Sequence, residues 1–161
     1  MSTVYVALGS NLGDRAQNLH NAITLLSSKV VVEELSPIYE TEPHYITSQP
    51  SFYNAVLRAK TDLSPEDMLI FLKGVEEKVG RTATFRNGPR VIDLDILMYD
   101  DVCMNTPVLE IPHPRMHERA FVLTPLADIA PDLVHPRLRI TMRDLLQKIS
   151  VRGVVRMAEH V

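Results

Sequence analysis

The sequence predicts an α+β fold: a ferredoxin-like βαββαβ core, with C-terminal helices covering the second face of the sheet to make three layers. Three observations carry this. Short β-branched apolar runs and helix-period stretches follow one another in the order β-α-β-β-α-β. The helix-period stretches open on residues suited to capping a helix. More helical material follows the last strand, and an antiparallel sheet with one bare face needs such a cover.

Residues 4–9, V-Y-V-A-L-G, form an apolar run closed by glycine, which predicts a buried strand. S-N-L-G-D follows as a turn, with Asp14 as a helix N-cap. Leu19, Ala22, Ile23 and Leu26 then recur at helical spacing. Residues 30–39 read as a strand broken at Pro37, and T-E-P-H-Y-I-T-S-Q-P as a polar loop. Residues 52–59, F-Y-N-A-V-L-R-A, give the next strand. Ser64 and Pro65 set N-cap and first helical position. Met68, Leu69, Phe71, Leu72, Val75 and Val79 form that helix's apolar stripe, and Gly80 closes it. V-I-D-L-D-I-L-M is the fourth strand. A proline-rich loop leads to an amphipathic segment over 118–126, and T-M-R-D-L-L-Q-K-I is a short last helix with a Thr/Asp capping pair. There is no internal repeat or low-complexity linker, so residues 1–161 are expected to form a single domain.

Composition narrows the function. Hydrophobic residues make up 45% and charged residues 23% of the chain, with a net charge of -3 and a pI near 6.1. A nucleic-acid partner calls for a basic excess, which is missing. Any anion site must come from locally gathered arginines. One cysteine, Cys103, excludes an internal disulfide and a cysteine-based zinc site. The opening residues read as a strand and not a signal peptide, and no apolar run is long enough to span a bilayer. A cytoplasmic monomer is expected, with neither membrane nor nucleic acid as partner.

The stretch R-N-G-P-R-V-I-D-L-D-I-L-M-Y carries the chemistry. Side chains on a strand alternate faces, so Asp93 and Asp95 share one face while Ile92, Leu94 and Ile96 share the other. Two bare carboxylates that close repel, and one is driven toward protonation unless a cation intervenes. Oxygen-only ligands favour magnesium, which shares its coordination with substrate phosphates. Alone, the three letters fit a solvated strand face at least as well. The neighbouring arginines shift the balance: Arg81 after the second helix, Arg86 and Arg90 before the strand, Arg115 and Arg119 after His113. Arg forks bind phosphate oxygens, and metal carboxylates beside several of them suit phosphoryl-type transfer. Each arginine taken singly reads equally as a surface ion pair, and Arg58 and Arg137 are left as such. His113 sits between Pro112 and Pro114 and is placed either to donate to a phosphate or to cap its loop. Phe52, Tyr53 and Phe121 lie near Asn54 and Arg119. They suit sandwiching a flat heterocycle whose edge Asn54 reads, or packing in the core.

Taken together, A-L-G-S-N-L-G-D, Y-E-T-E-P, F-Y-N-A-V, the Gly80-Arg81 pair, R-N-G-P-R-V-I-D-L-D-I-L and I-P-H-P-R-M-H-E-R-A-F-V-L-T-P-L closely resemble the 6-hydroxymethyl-7,8-dihydropterin pyrophosphokinases of folate biosynthesis. The pieces occur in family order across most of the chain. The resemblance implies transfer of pyrophosphate from ATP to the pterin hydroxymethyl group, releasing AMP. It implies two magnesium ions on Asp93 and Asp95, with Arg81, Arg90 and both aspartates catalytic. It places Glu76, Arg81, Arg86, Arg90, Ile96, His113 and Arg119 at the nucleotide. Phe52 and Phe121 would sandwich the pterin, with Thr41 and Asn54 at its polar edges and Pro43 and His44 beside it. Three positions depart from the family pattern. Thr82, Ala83 and Thr84 stand where many members have a second arginine, Asn87 where some have tryptophan, and Glu42 where a proline opens the pterin loop. Loops 42–50 and 82–88 are expected to close over the bound substrates.

Two other classes use some of the same residues. A magnesium-dependent phosphate-ester hydrolase would use the same aspartates, but no water-activating base stands out. A non-catalytic ferredoxin-like module binding RNA or protein would lack the metal requirement, and the acidic balance disfavours RNA.

Overall fold

A computed structural model describes residues 1–42, 48–81 and 88–158. The elements run β1 (Ser2–Ser10), α1 (Arg15–Leu26), β2 (Val31–Leu35), β3 (Tyr39–Thr41), β4 (Phe52–Thr61), α2 (Pro65–Val79), β5 (Asp93–Tyr99), β6 (Met104–Asn105), β7 (Glu110–Ile111), α3 (Ala120–Ile129), α4 (Met142–Gln147) and β8 (Val154–Arg156). A 3-10 turn, Met116–Glu118, precedes α3. Among the described residues six strands form one antiparallel sheet in the order β5-β1-β4-β3-β8, with β2 also on β4. The order of β5, β1, β4 and then β2 with β3 is that of a ferredoxin-like core.

The caps form where the sequence places them. Asp14 accepts the Gln17 amide and Ser64 the Asp67 amide, each at 3.1 Å. Thr141 accepts the Asp144 amide at 3.2 Å. Gly80 ends α2 at φ 118°, a conformation costly for any residue with a Cβ.

Proline divides the expected 30–39 strand in two. Pro37 has no N–H to give the ladder. Ser36 bridges the gap: its amide donates to the Val56 carbonyl and its hydroxyl accepts the Val56 amide, both at 2.9 Å. Thr41, expected in the loop, closes β3 instead. The expected 118–126 helix also divides, because Arg119 takes an extended conformation (ψ 106°) between the 3-10 turn and α3. Strand β8 and the β6–β7 hairpin have no counterpart in the sequence reading. Both are two or three residues long, too short to show a period.

Each face of the sheet is covered. Leu8, Leu57, Leu94 and Ile96 meet Leu19, Leu26, Met68 and Leu72 of α1 and α2 in one core. Tyr5, Val56, Leu97 and Met98 meet Leu123, Leu126, Met142 and Leu145 of α3 and α4 in the other. The register between β1 and β5 shifts between Tyr5 and Val6, so Leu97 and Met98 both reach the second core. Leu126 is fully buried. Leu126→Ala should therefore cost about 2–5 kcal/mol in urea unfolding, the usual range for a core leucine. A loss near zero would mean that α3 does not seal this face.

His135 is buried, and its Nδ1 accepts the amides of Arg137 at 3.2 Å and Leu138 at 3.0 Å. Burial, then His117 and Arg137, lower its pKa from the ordinary 6.5. The unfolded chain thus binds the proton at a higher pH than the folded one. Stability is fully present above about pH 6.5 and falls as the pH drops from there toward the folded value. Urea midpoints should decline across that window in the wild type, with a shallower slope in His135→Gln.

Candidate active site

Antiparallel register assembles the site from residues far apart in sequence. Gly9 of β1 lies opposite Asp93 of β5 on one side and Asn54 of β4 on the other. Asn54 in turn lies opposite Tyr39 of β3. One row, Asp93–Gly9–Asn54–Tyr39, therefore crosses four strands, with Asp95 and Ala7 paired two residues along, on the same face. A Cβ on Gly9 would sit 3.1 Å from Asn54 Nδ2 and 3.6 Å from Phe52 Cδ1, so any larger residue would push on the Asn54 amide. Small residues on β1 thus form a floor between the acid pair and the aromatic-amide end.

The acid end is strongly charged. Asp93 accepts from Arg81 at 3.0 Å and from Arg90 at 2.9 Å. Arg81 also reaches Glu76 at 2.7 Å, and the same Glu76 oxygen accepts the Leu94 amide at 2.8 Å. Burial raises the Glu76 pKa most, and the Leu94 amide and Arg81 oppose it. Among the described residues Asp95 has no such ion-paired shell, and Arg119 and Arg90 act on it only as nearby charges. Its carboxyl is pushed up to about 7, first by burial, then by the charges of Asp93 and Glu76, with Arg119 and Arg90 pulling the other way. Among the described residues no group of three or more His, Cys, Asp or Glu side chains gathers as a metal cage. What exists is an oxygen pair open to a hard cation that draws its other ligands from water or substrate.

His113 faces the same cleft. Its Nδ1 accepts the Arg115 amide at 3.1 Å, which leaves Nε2 to carry the ring proton. Burial, followed by Arg119, lowers its pKa to about 4, so the ring is neutral at pH 7. Arg119 lies beside it, its guanidinium 5.7 Å from the Phe121 ring centre.

At the other end Thr41 Oγ1 donates to Asn54 Oδ1 at 2.7 Å, both residues buried. That bond fixes the Asn54 amide, leaving its NH2 to face the cleft. A single cleft is lined by Thr41, Phe52, Asn54, Arg90, Asp93, Asp95, His113, Arg119 and Phe121, with Ala7, Gly9, Glu42 and Gln49 among its further walls.

Most sequence-predicted residues therefore converge, and three, Ile96, Glu76 and Arg81, do not line the cleft. Ile96 is buried in the core beneath α1 and α2, because alternation places it on the face opposite Asp95. Glu76 lies behind the acid pair, tied to Arg81 and Leu94. Arg81 itself joins the site through Asp93. Pro43, His44, Arg86, Asn87 and most of the two loops expected to close lie outside the described residues.

Sequence reasoning missed Asn11, assigned there only to a turn. It is 1% exposed. Its Oδ1 accepts the Arg90 amide at 2.8 Å, and its own amide N–H donates to the Arg90 carbonyl at 3.1 Å. Its Nδ2 donates to Gln49 Oε1 at 2.7 Å and to the Pro50 carbonyl at 3.1 Å. Asn11 thus ties together the two segments that flank the cleft. Its signal in sequence is weak, since an asparagine within S-N-L-G-D reads first as part of a turn.

This architecture defines a class: an α+β protein whose sheet presents an acid pair among arginines, a site suited to a polyphosphate, next to a slot suited to a flat polar heterocycle. Residues 5–131 match the family described as 7,8-dihydro-6-hydroxymethylpterin-pyrophosphokinase, and the chain belongs to that family. The 2-amino-4-hydroxy-6-hydroxymethyldihydropteridine pyrophosphokinase of Aquifex aeolicus is 42% identical over 89% of this chain and 90% of its own length. The folic acid synthesis protein of Dictyostelium discoideum is 51% identical over 86% of this chain. The chain spans only 21% of that protein's length and 21% of the Schizosaccharomyces pombe relative's. A crystal structure of Plasmodium falciparum HPPK-DHPS shares the fold, with a TM-score of 0.74 at 19% identity, covering 97% of this chain and 47% of that one.

Glu76→Ala would orphan the Leu94 amide and leave Arg81 with one carboxylate fewer. It should cost about 1–3 kcal/mol in urea unfolding, the cost of an unmet buried hydrogen-bonding group. An unchanged midpoint would show that Glu76 does not brace this strand.

Proposed function

We propose that the protein transfers pyrophosphate from ATP to the hydroxymethyl group of 6-hydroxymethyl-7,8-dihydropterin, releasing AMP, as a step of folate biosynthesis. The observation that carries this is the single cleft joining the arginine-ringed acid pair to the Thr41–Asn54 slot. We read residues 1–161 as one pyrophosphokinase unit, monomeric and cytoplasmic. Among the described residues no helix is long and apolar enough to cross a membrane.

In this reading the pterin lies between Phe52 and Phe121, with Asn54 and Thr41 holding its polar edge. The substrate hydroxyl attacks the β-phosphorus of ATP. A bond forms between the hydroxymethyl oxygen and that phosphorus, the bond to the α-phosphate oxygen breaks, AMP departs and the hydroxyl proton goes to solvent. Arg90 and Arg119 line the cleft where the triphosphate would lie, and neutral His113 has an Nε2–H to donate to it. Arg81 acts from beside Asp93. The Leu94 amide points out of the sheet toward Glu76, and the two-residue repeat turns the Ile96 amide the same way. Ile96 would then meet the nucleotide through its main chain.

Asp93 and Asp95 are the residues that would hold magnesium, two ions in this reading. The fit rests on oxygen-only donors and on Asp95, whose raised carboxyl is what a nearby dication reverses. Magnesium bound with the triphosphate supplies charge neutralisation on the phosphate oxygens.

AMP release with ATP, magnesium and the hydroxymethyl-dihydropterin tests this. The wild type should form AMP only when the pterin is present. Asp93→Ala and Asp95→Ala should each lower the rate by at least about 100-fold, as the loss of key transition-state charge stabilisation does. AMP formed without pterin would favour the hydrolase. Metal-independent binding of an ATP analogue, without turnover, would favour the non-catalytic module.

A further inference from the structure

We propose that Tyr39 and Asp128 are positioning residues whose hydrogen bond clamps α3 onto β3 and sets the width of the slot between Phe121 and the Thr41–Asn54 floor. The proposal rests on the reading of that slot as the pterin site.

Tyr39 is 6% exposed, and its hydroxyl donates to the Asp128 carboxylate. It shares a β3 face with Thr41 and lies directly opposite Asn54 in the register. It is thus built into the row that carries the slot's polar edge. Asp128 lies in the last turn of α3, and Phe121 is that helix's second residue. The clamp and the aromatic wall therefore belong to one rigid element about 15 Å long, at 1.5 Å per residue.

The helix does not secure Phe121 fully by itself. Pro125 lies inside α3 and has no N–H to return to the Phe121 carbonyl, so that intrahelical bond is missing. The first turn is held instead by the amides of Val122 and Leu123 on the Arg119 carbonyl, at 3.0 and 2.9 Å. With one helical bond absent at the aromatic wall, the angle of α3 against the sheet depends more on its tertiary ties. The Tyr39 hydroxyl remains a donor throughout the working range, its pKa raised to about 12 by burial and then by Asp128. Asp128 is an exposed residue, so water can take over its carboxylate when the bond is lost. Breaking the clamp should therefore change geometry more than stability.

Steady-state kinetics of Tyr39→Phe, Asp128→Ala, Asp128→Asn and the Tyr39→Phe/Asp128→Ala double variant test the clamp, with urea unfolding run in parallel. Tyr39→Phe and Asp128→Ala should each raise KM for the pterin about tenfold, the scale of one hydrogen bond to a charged group. KM for ATP and kcat should stay within twofold. Asp128→Asn keeps an acceptor oxygen and should recover most of the loss, and the double variant should be no worse than either single. Equal rises in both KM values, an unchanged pterin KM, or additive losses in the double variant would overturn the clamp while leaving the proposed reaction standing. A wild type without pterin-dependent AMP release would sink the proposed reaction, and the clamp with it.

Discussion

Two carboxylates on one face of one strand repel each other, and the surroundings of β5 answer that repulsion. Arg81 and Arg90 both turn onto Asp93. Asp95 is left under burial and like charge, with its carboxyl near neutrality's midpoint. The two acids, alike in sequence, are therefore electrostatically unequal. One is already compensated by the protein and the other awaits compensation from outside. That inequality makes the cleft receptive to a complex of cation and polyanion, since either arriving alone would meet an unbalanced charge.

Around this pair the sheet supplies distance without contact. β1 runs between the acid end and the amide end and presents Ala7 and Gly9, leaving an unobstructed floor. The wall opposite comes from α3 and from the segment carrying His113, both delivered by the C-terminal layer. The second core therefore closes the sheet and also positions half of the site. Asn11 adds cross-bracing by binding the main chain on either side of Arg90 and the Gln49–Pro50 segment at once.

Much of this was legible in the sequence for definite physical reasons. The Asp14, Ser64 and Thr141 caps follow from local chemistry that tertiary packing had no reason to override. The faces of Asp93 and Ile96 follow from the two-residue repeat. The family motifs extended that to Thr41, Phe52, Asn54 and Phe121, which no spacing rule joins and which the fold brings to one cleft. What stayed hidden was non-local. Strand β8 is three residues and exists because β3 offers it an edge. The extended backbone at Arg119, which divides the expected helix, has no local signature. The roles of Asn11 and of Tyr39 with Asp128 depend on partners 38 to 89 residues away.

Among the described residues strand β5 ends the sheet, with β1 on one side only. A terminal strand is where a sheet frays first, because its outward amides have no neighbouring ladder. Glu76 supplies a substitute rung at Leu94, the residue between the two acids. A side chain from a helix thus does locally what a further strand would have done along the whole length. The border stays firm where the acids sit, and among the described residues no seventh strand walls off the flank beyond it from lateral approach by a large ligand.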